Sequence, residues 1–281
     1  FTALDPDHPA TLSTHIVKDL LRGELGFEGV VATDCMEMKA IDDHYGVNDS
    51  VVRAANAGID LIHFSHTAEK QSLAYDSLLN AVRRGDVPEV QIDVANRRIA
   101  ALKARFPVEN INPASIQNSD HLSLADAAAR AGTTLIRSND GVLPLRPDDG
   151  RRVLLVEFFS TKDSLVQEGK DSKLVDQIRP HLPQIDVISL PPDPDTSLIA
   201  STVAHPADVI ILATRSAHLA SAQVQAIQQL NATGKSVVLL ALRNPYDAGL
   251  IDADTIICTS GDSRPSLRAA AAGLTGVFIP S

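Results

Sequence analysis

The sequence predicts an α/β protein, because short apolar runs alternate with amphipathic helical stretches along its whole length. The first half contains two such strand-like runs, at residues 29–33 and 59–64. The second half contains six more, separated mostly by helical stretches. Strands joined through helices pair in parallel. We therefore expect parallel strands in the first half and an open, doubly wound sheet, covered on both sides, in the second.

The elements of the first half follow from caps and periodicity. Ser13 is placed to cap a helix, and Gly26 is placed to end it. Residues 29–33 are apolar and β-branched, which predicts a strand buried on both faces. Further helices are predicted at residues 51–57, 68–84 and 90–105.

The second half begins after a polar stretch rich in proline and asparagine. We interpret residues 107–119 as a linker between a first domain, residues 1–106, and a second domain, residues 120–281. The turn signal Asn139-Asp140-Gly141 is predicted to join two short strands. The predicted strands are 133–137, 153–158, 185–190, 209–213, 237–242 and 255–259, and the predicted helices are 120–131, 174–179, 198–204, 222–231 and 266–274.

Composition excludes several classes of protein. The 281 residues carry a formal net charge of −10, which argues against a nucleic-acid partner. No apolar run approaches the length of about 20 residues that a membrane span requires. Cys35 and Cys258 are far apart and adjoin apolar strands, so we expect two buried thiols and neither a disulfide framework nor a zinc site.

Asp34 is the leading candidate for a functional residue. It follows the predicted strand 29–33, and α/β proteins place their chemistry at the carboxyl ends of parallel strands. The alternative is that Asp34 only caps a helix. His66 follows the next strand and could face the same cleft, or it could be an ordinary loop histidine. Met36 could line a ligand-binding subsite or could fill the core.

Two longer segments resemble a known family. Residues 9–13 read PATLS, and residues 20–34 read LLRGELGFEGVVATD. Together they resemble the nucleophile region of glycoside hydrolase family 3, and above all its β-N-acetylglucosaminidase (β-hexosaminidase) branch. Residues 57–62 resemble the next strand of that family, and the segments RNPYD (243–247) and GDS (261–263) resemble its C-terminal domain.

The resemblance implies a fold and a reaction. The first domain would be the last βα units of a (β/α)8 TIM barrel, followed by the doubly wound α/β sandwich. Asp34 would be the nucleophile of a retaining hydrolase that removes terminal β-linked N-acetylglucosamine from cell-wall fragments or chito-oligosaccharides. The substrate would be a carbohydrate, and no metal or organic cofactor is implied.

The general acid/base is not evident in this sequence. The resemblance implies a histidine held by an aspartate, on a loop that precedes the nucleophile strand, and no segment here matches that loop. Phe1 reads like the middle of a loop, so we expect a longer protein and an inactive 281-residue chain on its own. Other branches of the family take an acid/base glutamate from the second domain, where Glu157 and Glu168 are the candidates.

Other functions stay open at this stage. The same family includes β-glucosidases and phosphorylases. A non-catalytic carbohydrate-binding or assembly module, with Asp34 as a helix cap, is the alternative from another class. The exact substrate, the oligomeric state and the cell compartment are left open.

Overall fold

The computed structural model describes residues 1–107, 113–139, 141–158 and 173–280. The chain forms two compact units, Phe1–Ile111 and Asn112–Ser281. Residues 108–112 of the predicted linker lie outside the described residues. Within the described ranges, no helix combines the length and the apolar character needed to cross a membrane.

The first unit alternates helices and strands, as its apolar pattern predicts. A short 3-10 turn, Ala10–Leu12, leads into these elements. In chain order they are a π-helix (His15–Glu24), β1 (Ala32–Cys35), α1 (Lys39–Ala57), β2 (Leu61–His63), α2 (Ala68–Arg84) and α3 (Glu89–Arg105). β1 and β2 are parallel neighbours, which confirms the predicted pairing.

β1 differs from the strand that the sequence predicts. It begins at Ala32 and alternates exposed and buried residues, whereas residues 29–33 were expected to be buried on both faces. The backbone of Val31 explains the late start, since its N–H donates to the side chain of Asp60 and its carbonyl accepts from the N–H groups of Asp60 and Leu61. Asp34 consequently lies within the strand, on its exposed side.

Left-handed glycines end two of the helices in this unit. Gly58 (φ 98°) follows α1 and Gly85 (φ 83°) follows α2, and each donates its N–H back to the last turn. α1 is longer than predicted, because it begins at Lys39 and continues through a kink at Gly46. The polar residues and the glycine before residue 51 hide its helical periodicity in the sequence.

Asp60 is the buried carboxylate at the centre of the first unit. Its side chain is 0% exposed. It accepts hydrogen bonds from Arg22 Nη2 (2.6 Å), Arg98 Nη1 (3.1 Å) and the N–H of Val31 (2.9 Å). Arg22 also donates to the carbonyl of Phe27 at 3.1 Å. One carboxylate therefore joins the π-helix, the approach to β1, the start of β2 and α3.

The second unit is built from strands and helices in near alternation. Its elements are α4 (Ser119–Ala131), β3 (Thr134–Ser138), β4 (Val153–Phe158), α5 (Leu174–Ile178), β5 (Asp186–Leu190), α6 (Thr196–Val203), β6 (Val209–Arg215), α7 (Ser221–Asn231), β7 (Ser236–Leu242), β8 (Thr255–Cys258) and α8 (Arg264–Leu274).

These strands form one sheet in the order β3-β8-β7-β6-β4-β5. All neighbours are parallel except β3, which runs antiparallel to β8 at one edge. The predicted turn at 139–141 therefore does not join neighbouring strands, and Asp140 lies outside the described residues. Asn139 instead donates its side-chain amide to Asp254, at the start of β8.

Two apolar cores cover the two faces of this sheet. Leu155 belongs to the core that also contains apolar residues of α5 and α8. Its neighbour Leu154 belongs to the opposite core, with residues of α6 and α7. Because successive strand residues point to opposite faces, such runs are apolar throughout. The doubly wound sheet covered on both sides is confirmed.

The two cysteines have different environments. Cys258 in β8 is buried, and burial raises the pKa of its thiol. Cys35 at the end of β1 is only half-buried, so the expectation of two buried thiols is correct for one of them. The difference reflects the partly exposed face of β1.

We expect Asp60→Asn to destabilise the first unit by about 2–4 kcal/mol, because it leaves two guanidinium groups without their carboxylate. The arginines retain some exposure, 12% for Arg22 and 26% for Arg98, which keeps the expected loss toward the low end for buried pairs. Urea unfolding followed by circular dichroism measures the change. Asp49→Asn is the matched control, since its pair with Arg53 is exposed and should contribute under about 0.5 kcal/mol. Equal losses in the two variants would contradict the central role of Asp60.

Candidate active site

The exposed side of β1 presents the carboxylate of Asp34. Its Oδ1 accepts the N–H of Cys35 at 2.7 Å, which fixes the side chain against its own strand. α1 begins only at Lys39, and its N-cap residue is Met38. Asp34 is thus not the cap of α1, so the helix-cap alternative is wrong, and its catalytic role stays a prediction.

His63 lies across from the residue that follows Asp34. Cys35 and His63 are register partners in the β1–β2 pair. The ring Nδ1 of His63 lies 2.7 Å from the carbonyl oxygen of Thr33. The backbone N–H of His63 donates to Thr33 Oγ1 at 2.9 Å. A carbonyl can only accept, so Nδ1 carries a proton and donates this hydrogen bond, and Nε2 is the ring nitrogen that is left for a ligand. Sequence reasoning did not identify this held imidazole.

Glu37 joins the loop after β1 to the loop after β2. Its Oε1 accepts the N–H groups of His66 (2.9 Å) and Thr67 (3.1 Å), and its Oε2 accepts the hydroxyl of Thr67 at 2.6 Å. We call this set of hydrogen bonds the Glu37 clamp. The hydroxyl of Thr67, followed by the N–H of His66, lowers the pKa of Glu37 to about 2. Sequence reasoning missed Glu37, because partners thirty positions apart leave no local pattern.

The other two predicted site residues have contrasting positions. His66 is exposed in the loop after β2, and its backbone is held by the Glu37 clamp. Met36 is 1% exposed and packs among Leu12, Val17 and other core residues. This position matches the core-filling alternative for Met36. The substrate-binding roles of both residues stay predictions.

Of the two glutamate candidates in the second unit, one lies within the described residues. Glu157, near the end of β4, accepts a hydrogen bond from Arg215 at 2.9 Å and is 16% exposed. Its carboxylate is therefore engaged in an ion pair. Glu168 lies outside the described residues.

The β1–β2 edge presents a carboxylate of the kind that covalent catalysis uses. Asp34 offers an exposed carboxylate on a strand, His63 offers an oriented ring nitrogen, and the Glu37 clamp holds the adjoining loops together. A carboxylate positioned rigidly in this way can attack an electrophilic carbon.

Comparison with known proteins assigns this region to a family. Residues 1–102 match the model described as the glycosyl hydrolase family 3 N-terminal domain. A β-hexosaminidase A from Pseudoalteromonas piscicida is 32% identical over 181 residues, which are 58% of this chain and 30% of the relative. A β-N-acetylglucosaminidase/β-glucosidase from Cellulomonas fimi is 26% identical over 60% of this chain and 30% of the relative.

A solved structure extends the likeness to both units. The family 3 β-N-acetylglucosaminidase of Paenibacillus sp. str. FPU-7 matches 98% of this chain with a TM-score of 0.80 and 30% identity. The chain covers 54% of that structure, and 30% of each of the two curated relatives above. The chain therefore spans about a third to a half of these similar proteins. Residues 1–102 thus match the N-terminal domain of glycoside hydrolase family 3, and both units are similar to a solved β-N-acetylglucosaminidase of that family.

Proposed function

We propose that the intact protein is a retaining glycoside hydrolase that removes terminal β-linked N-acetylglucosamine, with Asp34 as its nucleophile. The observation that carries the proposal is the exposed carboxylate of Asp34, held on β1 within the region that the family model matches. The non-catalytic alternative took Asp34 as a helix cap, and Met38 occupies that position in α1 instead.

The proposed reaction has two displacements. An oxygen of Asp34 attacks the anomeric carbon, and the bond to the leaving-group oxygen breaks as a general acid protonates that oxygen. Water then attacks the same carbon, and the bond to Asp34 breaks, which restores the carboxylate. By the family resemblance, we assign proton transfer to a histidine held by an aspartate on a loop before the nucleophile strand.

The polar groups around Asp34 are proposed to bind and orient the sugar. The Glu37 clamp would hold the loop of His66 so that its ring can reach substrate hydroxyl groups. His63 would contribute Nε2 as a further acceptor. Met36 would act from the core, by supporting β1 beneath the sugar.

The names of the relatives favour an N-acetylglucosaminide as the substrate. The Pseudoalteromonas relative is called a β-hexosaminidase and the Paenibacillus protein a β-N-acetylglucosaminidase. The Cellulomonas relative carries both that activity and β-glucosidase in its name, so β-glucoside hydrolysis is the second candidate. Chito-oligosaccharides and cell-wall fragments are the proposed natural substrates.

Asp34→Asn is expected to lower kcat in the intact protein by about 10³-fold or more, because no second carboxylate replaces the nucleophile. Hydrolysis of an aryl β-N-acetylglucosaminide measures the loss, and Asp49→Asn serves as an exposed aspartate control. Mass spectrometry of the wild-type Asp34 peptide during turnover should detect a bound N-acetylhexosamine. Retention of more than about a tenth of kcat/KM, a deficit below about 1.4 kcal/mol, would exclude Asp34 as nucleophile.

The intact protein should hydrolyse an aryl β-N-acetylglucosaminide faster than the matching aryl β-glucoside. Parallel assays at equal leaving-group acidity isolate the contribution of the N-acetyl group. Added inorganic phosphate should leave the rate and the free-sugar product unchanged. Faster glucoside turnover would favour the β-glucosidase alternative, and formation of a sugar 1-phosphate would favour a phosphorylase.

The Glu37 clamp should persist in acid. Because the pKa of Glu37 falls from 4.5 to about 2 on folding, its contribution is complete above about pH 4.5 and is lost as the pH falls toward 2. Hydrogen exchange of the segment containing His66 and Thr67 should stay slow at pH 4. Glu37→Gln should speed that exchange at neutral pH, whereas Glu69→Gln, at an exposed helical position, should not. Equal exchange in the two variants would contradict the clamp.

A further inference from the structure

The second unit has a topological switch point in its sheet. β4 pairs with β5 on one side and with β6 on the other, so the chain reverses its direction of sheet growth between β4 and β6. Open α/β sheets bind ligands in the crevice outside the carboxyl ends of the strands at such a point. The segments that follow β6, β7 and β8 lie along this edge, and we call them the carboxyl edge of the second unit.

Three segments of the carboxyl edge contain strained backbone. Ser216 (φ 61°), Arg243 (φ 75°) and Ser260 (φ 51°) follow β6, β7 and β8 and adopt the left-handed conformation without being glycine. This conformation is unfavourable for a residue other than glycine. In the described part of the chain, only Gln117 shares this property elsewhere. Strain concentrated on three adjacent strand ends is typical of a site shaped for a ligand.

A histidine–aspartate pair lies at the same edge. Asp247 is fully buried and accepts the N–H groups of Ala217 and His218, both at 3.0 Å, as well as His218 Nδ1 at 2.8 Å. Burial pushes the pKa of Asp247 upward, but the hydrogen bonds from His218 and the neighbouring groups outweigh it and lower that pKa. The carboxylate accepts the hydrogen bond from Nδ1, so Nε2 is the ring nitrogen that is left for a ligand. No described residue is hydrogen-bonded to this Nε2, and the His218 side chain is 21% exposed.

An exposed aromatic ring and charged side chains of both signs lie near His218. The ring of Tyr246 is 5.3 Å from that of His218, in an edge-to-face arrangement, and Tyr246 is 66% exposed. Arg215 lies between Glu157 (2.9 Å) and Asp262 (3.5 Å), and its side chain is 13% exposed. With Arg243 and Asp247, the edge contains two guanidinium groups and three carboxylates, so it has no excess positive charge to attract an anion.

From this geometry we propose that the carboxyl edge of the second unit binds a pyranose sugar. The apolar C–H face of the sugar would lie on Tyr246, and a hydroxyl group would donate to His218 Nε2. A neutral ligand with both an apolar face and hydroxyl groups matches an exposed aromatic ring beside fixed polar groups better than an anion or a plain alkyl chain does. The proposal does not depend on Asp34, since all of its residues belong to the second unit.

The test follows His218 directly by NMR in the full chain carrying Asp34→Asn, which separates binding from hydrolysis. His218→Gln assigns the ring resonance, and N,N′-diacetylchitobiose is the probe. We expect a saturable shift of the His218 resonance. Tyr246→Ala should weaken binding about fivefold or more, and Tyr246→Phe should stay within about twofold. Sorbitol, which has hydroxyl groups but no pyranose face, should cause no saturable shift.

Three results would overturn the proposal. They are no saturable shift at about 50 mM sugar, an equal response to sorbitol, and unchanged affinity in Tyr246→Ala. The other histidine resonances and the circular dichroism spectrum report whether each variant is folded, and Tyr246 is exposed enough for its substitution to leave the core intact. Loss of hydrolysis on Asp34→Asn is a separate outcome, so this site and the proposed active site can fail independently.

Discussion

The first unit depends on the buried carboxylate of Asp60. Arg22 and Arg98 neutralise it, and the N–H of Val31 completes its hydrogen bonds. Because Val31 is occupied in this way, the ladder between the strands begins at Ala32. The register then shifts by one residue between Ala32 and Cys35, which sets Cys35 opposite His63, and Asp34 lies on the exposed side of β1. The ion pairs of Asp60 and its hydrogen bond to Val31 therefore fix the start of the strand that contains Asp34.

The second unit also has aspartate side chains that accept hydrogen bonds from backbone N–H groups. Asp247 binds the N–H groups that follow β6, and Asp254 binds the N–H of Val237 at the start of β7. A carboxylate that accepts the N–H of a neighbouring segment satisfies backbone groups that the sheet ladder cannot reach. It also fixes where one strand ends relative to the next. In both units, therefore, polar side chains hold the backbone at the ends of the strands.

The sequence predicts the apolar elements well and the polar connections poorly. Runs such as 153–156 and 237–242 are buried throughout, so composition alone locates their strands. The bounds of β1 and the antiparallel β3 depend on tertiary pairing, which no local pattern records. Asp34 is recognisable through its long motif. Glu37 and His218 are not, because their partners lie about thirty positions away in the chain.

Asp34 and Glu37 lie three positions apart at the carboxyl end of β1, and their carboxylates accept different numbers of hydrogen bonds. Glu37 accepts three hydrogen bonds through both oxygens, which lowers its pKa to about 2 and occupies the lone pairs that an attack would need. Asp34 accepts one hydrogen bond within the described residues and remains exposed. A carboxylate saturated with donors is a weak nucleophile, whereas one fixed by a single donor keeps a free oxygen. This contrast favours Asp34 as the reacting group and Glu37 as the group that holds the loops around it.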